Sequence, residues 1–168
     1  MPAIPIGEND AVLMRLALSE AREAGIAGEV PIGAIVAVDG EPVGRGRNSP
    51  IGLNDPTGHA EILAMRDAAD RLGNYRLTGA ALISTVEPCL MCLGAALHAR
   101  IGRIVYGAAD PKIGATGLLA ELEGQDACLN HRLQVTGGVL AGEASDLILD
   151  FFRNRRAKEA AGGGNVVD

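Results

Sequence analysis

The residues best suited to catalysis lie in two short segments that are far apart along the chain. The first, Gly58–Glu61, places an imidazole and a carboxylate two residues apart, in His59 and Glu61. The second, Pro88–Cys92, places two thiols three residues apart behind a proline. Because cysteine sulfur and histidine nitrogen are ligands that zinc prefers in proteins, the two segments together predict a zinc site.

The number of ligands indicates the kind of zinc site. His59, Cys89 and Cys92 supply three protein ligands and leave a fourth position for water, which is typical of a catalytic zinc. Such a zinc lowers the pKa of its bound water to about 7 and makes hydroxide available at neutral pH. A carboxylate beside that water can take its proton and deliver it elsewhere, which is the role predicted for Glu61.

The spacing of His59 and Glu61 limits where the metal can lie. Residues two apart are separated by about 200° around an ideal helix, so these side chains cannot share a site on its flank. They can share one beyond the first turn, where His59 binds the metal and Glu61 stays close without binding it.

The spacing also allows two other interpretations. A Cys-x-x-Cys pair can be a redox motif, although such motifs do not require a distant histidine and carboxylate. Cys128 and His131 could complete a closed, structural four-ligand site with the two thiols of the second segment. The closed site would leave His59 and Glu61 without a role.

Apolar periodicity and turn residues predict the elements that must position these segments. The predicted helices are Glu8–Gly25, His59–Leu72, Pro88 or Cys89 to Ala99, a short one near Leu118–Leu122, and Glu143–Lys158. The predicted strands are Gly33–Val38, Glu41–Asn48, Ala80–Ser84, Arg103–Gly107 and Leu133–Thr136, and Ser49–Gly58 is predicted to be a loop. An opening hairpin followed by alternating helices and strands predicts an α/β fold, with a mixed sheet between two layers of helices. Both chemical segments lie where a strand or loop leads into the N-terminus of a helix, which is where ligands usually bind in such sheets.

Composition and length are those of a single globular domain. The 168 residues are 48% hydrophobic with only two Tyr, two Phe and no Trp, so the core must be aliphatic. We expect one domain over 1–168, with a loose arm at 1–7 and a disordered tail at 160–168. Three cysteines argue against a disulfide framework. The absence of a signal-like start and of a long apolar run predicts a cytoplasmic protein without membrane segments.

The charge is unevenly distributed. The formal net charge is −6, yet Phe151–Lys158 contains three arginines and a lysine. Since salt screens charges beyond about 10 Å, such a strip can bind phosphates on an acidic protein. The same cations would also suit the C-terminal end of a solvated helix, so charge alone leaves both interpretations open.

The two chemical segments resemble the signature of the zinc-dependent cytidine and nucleobase deaminases. Other segments resemble one branch of that superfamily, the bacterial tRNA-specific adenosine deaminases. These segments are Val30–Ala34, Asn48–Pro56, Asn74–Leu77, Asn130–Arg132 and Phe151–Arg156. The resemblance implies a cytidine deaminase-like fold, which is a three-layer α/β/α arrangement with a five-stranded mixed sheet. It also implies one zinc ion per subunit and a homodimer.

The resemblance further implies a reaction and residue roles. His59, Cys89 and Cys92 would bind zinc, and Glu61 would be the catalytic proton shuttle. Hydroxide on the zinc would attack C6 of the wobble adenosine in a tRNA anticodon stem-loop, giving inosine and ammonia. The implied substrate-binding residues are Asn48, Ala60, Asp110, Lys112, Asn130, Phe152, Arg153 and Arg156. A deaminase of a free base or nucleoside such as guanine, and a non-catalytic RNA-binding module with structural zinc, are the alternatives.

Overall fold

The computed structural model describes residues 7–124 and 131–161, which contain six helices and five strands. The helices are α1 Glu8–Ile26, α2 Pro50–Leu53, α3 Ala60–Leu72, α4 Leu90–His98, α5 Thr116–Gly124 and α6 Ala141–Ala161. The strands are β1 Gly33–Val38, β2 Glu41–Arg47, β3 Ala81–Val86, β4 Arg103–Ala108 and β5 Gln134–Thr136. The sequence predicted each of them except α2, a four-residue helix inside the segment that was predicted to be a loop.

The five strands form one mixed sheet in the order β2-β1-β3-β4-β5. Strand β1 pairs antiparallel with β2 and β3, whereas β3, β4 and β5 run parallel. This confirms the predicted α/β class and five-stranded mixed sheet. The parallel strands end at the same edge, which is also where α4 begins after β3.

Two aliphatic cores cover the two faces of the sheet. Alternate residues of β1 divide between them: Ala34 and Val36 face α3 and α4, whereas Ile35 and Ala37 face α1 and α6. Burial on both faces explains why the central strands are continuous apolar runs and not alternating ones. The structure thereby confirms the three-layer arrangement.

The N-terminus of α1 is fixed by a buried carboxylate. Gly7 is the N-cap residue of α1. Asp10 lies in the first turn and accepts a hydrogen bond from the Gly7 N–H at 2.8 Å. Its two oxygens also accept hydrogen bonds from the Arg103 guanidinium at 3.0 and 2.8 Å. This bidentate pair joins α1 to β4.

Three predicted features fall at or beyond the limits of the described residues. Helix α6 continues to Ala161, into the segment that was predicted to be a tail. Residues 1–6 of the predicted arm and 162–168 of the predicted tail lie outside the described residues, as do Cys128 and Asn130. The single-domain organisation stays a prediction. No helix in the described part of the chain is long and apolar enough to cross a membrane.

Glycines in β2 allow α3 to lie directly against the sheet. A methyl group added at Gly44 would lie 2.5 Å from the Ala64 carbonyl oxygen. One added at Gly46 would collide with the Ala60 carbonyl oxygen and the Ala64 amide nitrogen. Because these are backbone atoms, only movement of α3 could relieve the contact. The position of the first turn of α3 therefore depends on Gly46.

We expect Gly46→Ala to lower the free energy of unfolding by about 1–3 kcal/mol, the usual cost of overpacking a filled interior. The matched control is Gly94→Ala in α4, where an added methyl group meets nothing within 4 Å and alanine favours the helix. Denaturant unfolding of both variants measures the difference. Equal stabilities would show that α3 is free to shift.

Candidate active site

His59 is the N-cap residue of α3, so the helix begins one residue later than predicted. Its backbone is extended, with φ −72° and ψ 149°. The loop before it is held by hydrogen bonds from the Gly58 N–H to the Asp55 carbonyl oxygen and from the Ser49 N–H to the Gly58 carbonyl oxygen, both 2.9 Å. The imidazole therefore lies at the end of the helix and not along its flank.

Cys89 occupies the same position in α4. It is an N-cap residue with φ −74° and ψ 172°, and α4 begins at Leu90. Cys92 lies in the first turn of that helix and is fully buried. Two helices thus begin at one point, and the positive ends of their dipoles favour anionic ligands there.

The three predicted ligands meet at distances that fit one zinc ion. The Sγ atoms of Cys89 and Cys92 are 3.7 Å apart, and His59 Nδ1 lies 3.6 Å from the first and 3.5 Å from the second. Tetrahedral zinc with ordinary bond lengths places two sulfur ligands about 3.8 Å apart, and sulfur and nitrogen about 3.6 Å apart. Among the described residues, these three form the only group of this kind.

The buried thiol of Cys92 also needs a nearby cation to ionise. Burial raises the pKa of Cys92, and the nearby carboxylate of Glu61 raises it further. The thiol would therefore be neutral in the absence of a metal. A bound dication removes the proton from a coordinating thiol, so a metal is what stabilises the thiolate here.

Glu61 lies in the first turn of α3 and is 4% exposed. Burial raises the pKa of its carboxyl group, although a hydrogen bond to its own backbone opposes the shift. A carboxyl group held in this way beside a metal site is suited to accept and return a proton.

The described residues do not form the closed four-ligand site. His131 is not in the metal group: its Nε2 pairs with the carbonyl oxygen of Ile101 at 2.5 Å. Cys128, the fourth proposed ligand, lies outside the described residues. The open arrangement is the one that the described side chains form.

Two of the predicted substrate residues border the metal group. Asn48 follows β2 directly, is 6% exposed and donates its backbone N–H to the Ile32 carbonyl oxygen at 2.9 Å. The hydrogen bond from Ser49 to Gly58 brings Asn48 beside His59. Ala60 is fully buried at the first position of α3, where backbone N–H groups have no partner within the helix.

Asp110 and Lys112 lie in the loop that connects β4 to α5. The Asp110 carboxylate accepts hydrogen bonds from the N–H groups of Lys112 and Ile113 at 2.9 and 3.2 Å, which makes a tight turn. Gly114 forms an isolated antiparallel bridge with Cys89, so the loop lies against a metal ligand. The Lys112 side chain is exposed. Asn130 lies outside the described residues.

Helix α6 carries the remaining predicted contacts, Phe152, Arg153 and Arg156, all exposed. Arg153 pairs with Asp150 at 2.8 Å.

The opposite face of α6 lines a groove of about 440 Å³ against α1 and α2. That face consists of Phe151, Asn154, Arg155 and Lys158, and Ile51 of α2 lies across from it. Their spacing of i, i+3, i+4 and i+7 places the four residues on one face of a helix, and this pattern can be seen in the sequence.

We expect Cys92→Ser to reduce bound zinc from about one ion per chain to near zero, because an alcohol is a much weaker zinc ligand than a thiolate. The matched control is Cys128→Ser, which should keep its zinc. Metal analysis of the purified variants measures both. Loss of zinc from the Cys128 variant would restore the closed structural site.

Comparisons with known proteins agree with the metal centre. Residues 7–108 match the family described as the cytidine and deoxycytidylate deaminase zinc-binding region. The match and the placement of the three ligands confirm the predicted zinc.

The relatives show which branch of the family this is. The tRNA-specific adenosine deaminase of Haemophilus influenzae is 46% identical over 153 residues, which are 90% of this chain and 88% of that protein. A solved tRNA:A34 deaminase, studied for A-to-I editing at the wobble position, is 45% identical with a TM-score of 0.75, over 81% of this chain and 98% of that one. The guanine deaminase of Nitrosomonas europaea is 22% identical with a TM-score of 0.71, over 90% of this chain and 87% of that one, and shows the fold alone. The chain therefore belongs to the cytidine and deoxycytidylate deaminase family and, within it, to the tRNA-specific adenosine deaminases.

Proposed function

We propose that this protein hydrolytically deaminates the wobble adenosine of a tRNA anticodon loop to inosine. One observation carries the proposal: three ligand atoms at zinc distances lie beside the buried carboxylate of Glu61, in a chain 46% identical to a tRNA-specific adenosine deaminase. The residue roles below are part of the proposal.

Glu61 moves the protons of the reaction. His59, Cys89 and Cys92 would hold the zinc ion, which would make hydroxide available near neutral pH. Glu61 takes the proton that the attacking water loses and delivers it to N1 of the adenine. A second proton passes through the same carboxylate to the leaving amino group, so that one water is consumed and one ammonia is released at C6.

Asn48 and the Ala60 backbone hold the purine. The Asn48 backbone is fixed by its bond to Ile32, which leaves the side-chain amide for the base. The Ala60 N–H lies at the start of α3 and can donate to the bound base. Since both groups belong to the rigid frame of β2 and α3, they can hold the ring before the chemical step begins.

RNA is recognised through local charge and an unpaired loop. An anticodon loop presents unstacked bases, so the target adenosine can turn into the pocket without opening a duplex. The exposed face of α6 presents an aromatic ring, from Phe152, and two cations, from Arg153 and Arg156. Lys112 adds a cation beside the metal centre. Asn130 is the further proposed contact. The reaction would take place in the cytoplasm with the tRNA.

The alternatives have less support. The likeness to a guanine deaminase is a likeness of fold. A non-catalytic module with structural zinc leaves unexplained why a buried carboxylate lies beside an open three-ligand group.

Glu61→Gln should keep about one zinc per chain and lose activity by about 10²–10⁴-fold, because the amide cannot carry the proton. Ammonia release from an anticodon stem-loop and A-to-I sequencing of that RNA measure the loss, and free guanine is assayed in parallel. Release of ammonia from guanine alone would refute the tRNA proposal. An active Glu61→Gln variant would refute the proton shuttle.

A homodimer is the proposed assembly, and one surface supports it. Helices α3 and α4 enclose an apolar groove of about 360 Å³. It is lined mostly by apolar side chains, including Ile62, Met65, Leu77, Met91 and Ala95, with Tyr75 and His98 at its edge. Tyr75 is 59% exposed although it is aromatic. A second copy of the chain would cover this surface.

We expect Ala95→Glu to convert the dimer into a monomer, because it places a charge in the groove without filling the interior of the fold. Light scattering coupled to size exclusion measures the mass. The control is Val12→Glu at an exposed position of α1, which should stay dimeric. Dimeric Ala95→Glu would locate the interface elsewhere.

A further inference from the structure

Glu87, the residue two positions before Cys89, has its carboxylate turned towards the loop after β4. Oε1 accepts hydrogen bonds from the Thr116 N–H at 3.1 Å and from the Thr116 hydroxyl at 2.5 Å. Oε2 accepts one from the Asp110 N–H at 3.1 Å. One carboxylate therefore binds both ends of the loop that carries Asp110 and Lys112.

The three hydrogen bonds to Glu87 are strong because their acceptor is a carboxylate. Hydrogen bonds to an ionised acceptor are roughly twice as strong as neutral ones. Thr116 is also the first residue of α5, so the carboxylate lies at the positive end of that helix dipole and satisfies one of its unpaired N–H groups. The Glu87 side chain thereby caps the N-terminus of α5, although it comes from a different part of the chain.

Backbone contacts connect the same loop to the metal ligand. The Glu87 N–H donates to the Ala108 carbonyl oxygen at 2.8 Å, and the Ala115 N–H donates to the Pro88 carbonyl oxygen at 3.0 Å. Gly114 forms a bridge with Cys89 beside the second of these bonds. Backbone contacts thus join the loop to the turn before α4.

Gly114 makes room for the Glu87 side chain. A methyl group added at this position would overlap the Glu87 carboxyl group and lie 2.5 Å from the Asp110 carbonyl oxygen. The carboxylate consequently packs directly against the loop backbone. The local sequence pattern does not predict this contact, because the fold brings the two residues together.

We propose that Glu87 is a positioning residue that holds the substrate-contacting loop 110–116 in register with the zinc ligand Cys89. It touches neither the metal group nor the base, and it acts through the loop. The inference rests on the proposed function, because it assumes that Asp110 and Lys112 contact the RNA. A loop without this anchor would have to be ordered by the substrate at a cost in affinity.

Three variants remove the anchor in steps. Thr116→Val removes one of the three hydrogen bonds, Glu87→Gln replaces one oxygen by an amide group that cannot accept a hydrogen bond, and Glu87→Ala removes all three. For Glu87→Ala we expect KM for an anticodon stem-loop to rise about tenfold with kcat within about threefold, as lost preorganisation predicts. The other two variants should fall between it and the wild type, and zinc should stay near one ion per chain. The control is Glu41→Ala, an exposed glutamate in β2, which should leave every value unchanged.

Hydrogen exchange provides a readout that does not depend on activity. The Asp110 and Thr116 amides should exchange faster in Glu87→Ala, while those of α4 keep their protection. Adding Thr116→Val to Glu87→Ala should raise KM no further, because the partner is already gone. If Glu87→Ala does not fold, Glu87→Gln and Thr116→Val carry the same comparison.

Unchanged exchange at both amides would overturn the proposal, as would loss of zinc in folded Glu87→Gln or a fall in kcat without a rise in KM. Inactivity of the wild-type chain towards the stem-loop would refute the proposed function instead. The exchange experiment would still decide whether Glu87 anchors the loop.

Discussion

The structure depends on two helices, from different parts of the chain, beginning at the same point. His59 and Cys89 are both N-cap residues, and this shared position brings their side chains within 3.6 Å of each other. Either helix shifted by half a turn would carry its ligand out of reach of one ion. The close contact between α3 and Gly46 of β2 holds one helix, and the bridge between Gly114 and Cys89 holds the start of the other.

The same geometry collects negative charge in a buried place. Cys92 and Glu61 are both removed from water, and the carboxylate of Glu61 disfavours ionisation of the Cys92 thiol. Two helix N-termini supply partial positive charge, but they cannot replace a dication. A zinc ion would therefore neutralise the buried negative charge as well as supply the chemistry. The same burial that forms the site raises the pKa of the Glu61 carboxyl group.

The sequence was sufficient for the features that are local. Apolar runs predicted the strands and helices. Residue types and their spacing identified the three zinc ligands, and the structure brings these side chains together. The features that were missed are the ones made by contacts between distant parts of the chain. Asp10 of α1 is bound by Arg103 of β4, and the side chain of Glu87 caps a helix that starts far beyond it. Helix α2 was missed for another reason: four residues carry too little periodicity to be recognised.

The basic strip on α6 is less cationic in the folded protein than it is in the sequence. Arg153 pairs with Asp150 and Arg155 with Glu159, at 2.8 and 3.1 Å. All four side chains are more than half exposed, so each pair contributes little to stability, about 0–1 kcal/mol. A phosphate can therefore replace either carboxylate at small cost, since the guanidinium exchanges one anion for another. If RNA binds α6 as proposed, a protein with a net charge of −6 can offer it a cationic surface there.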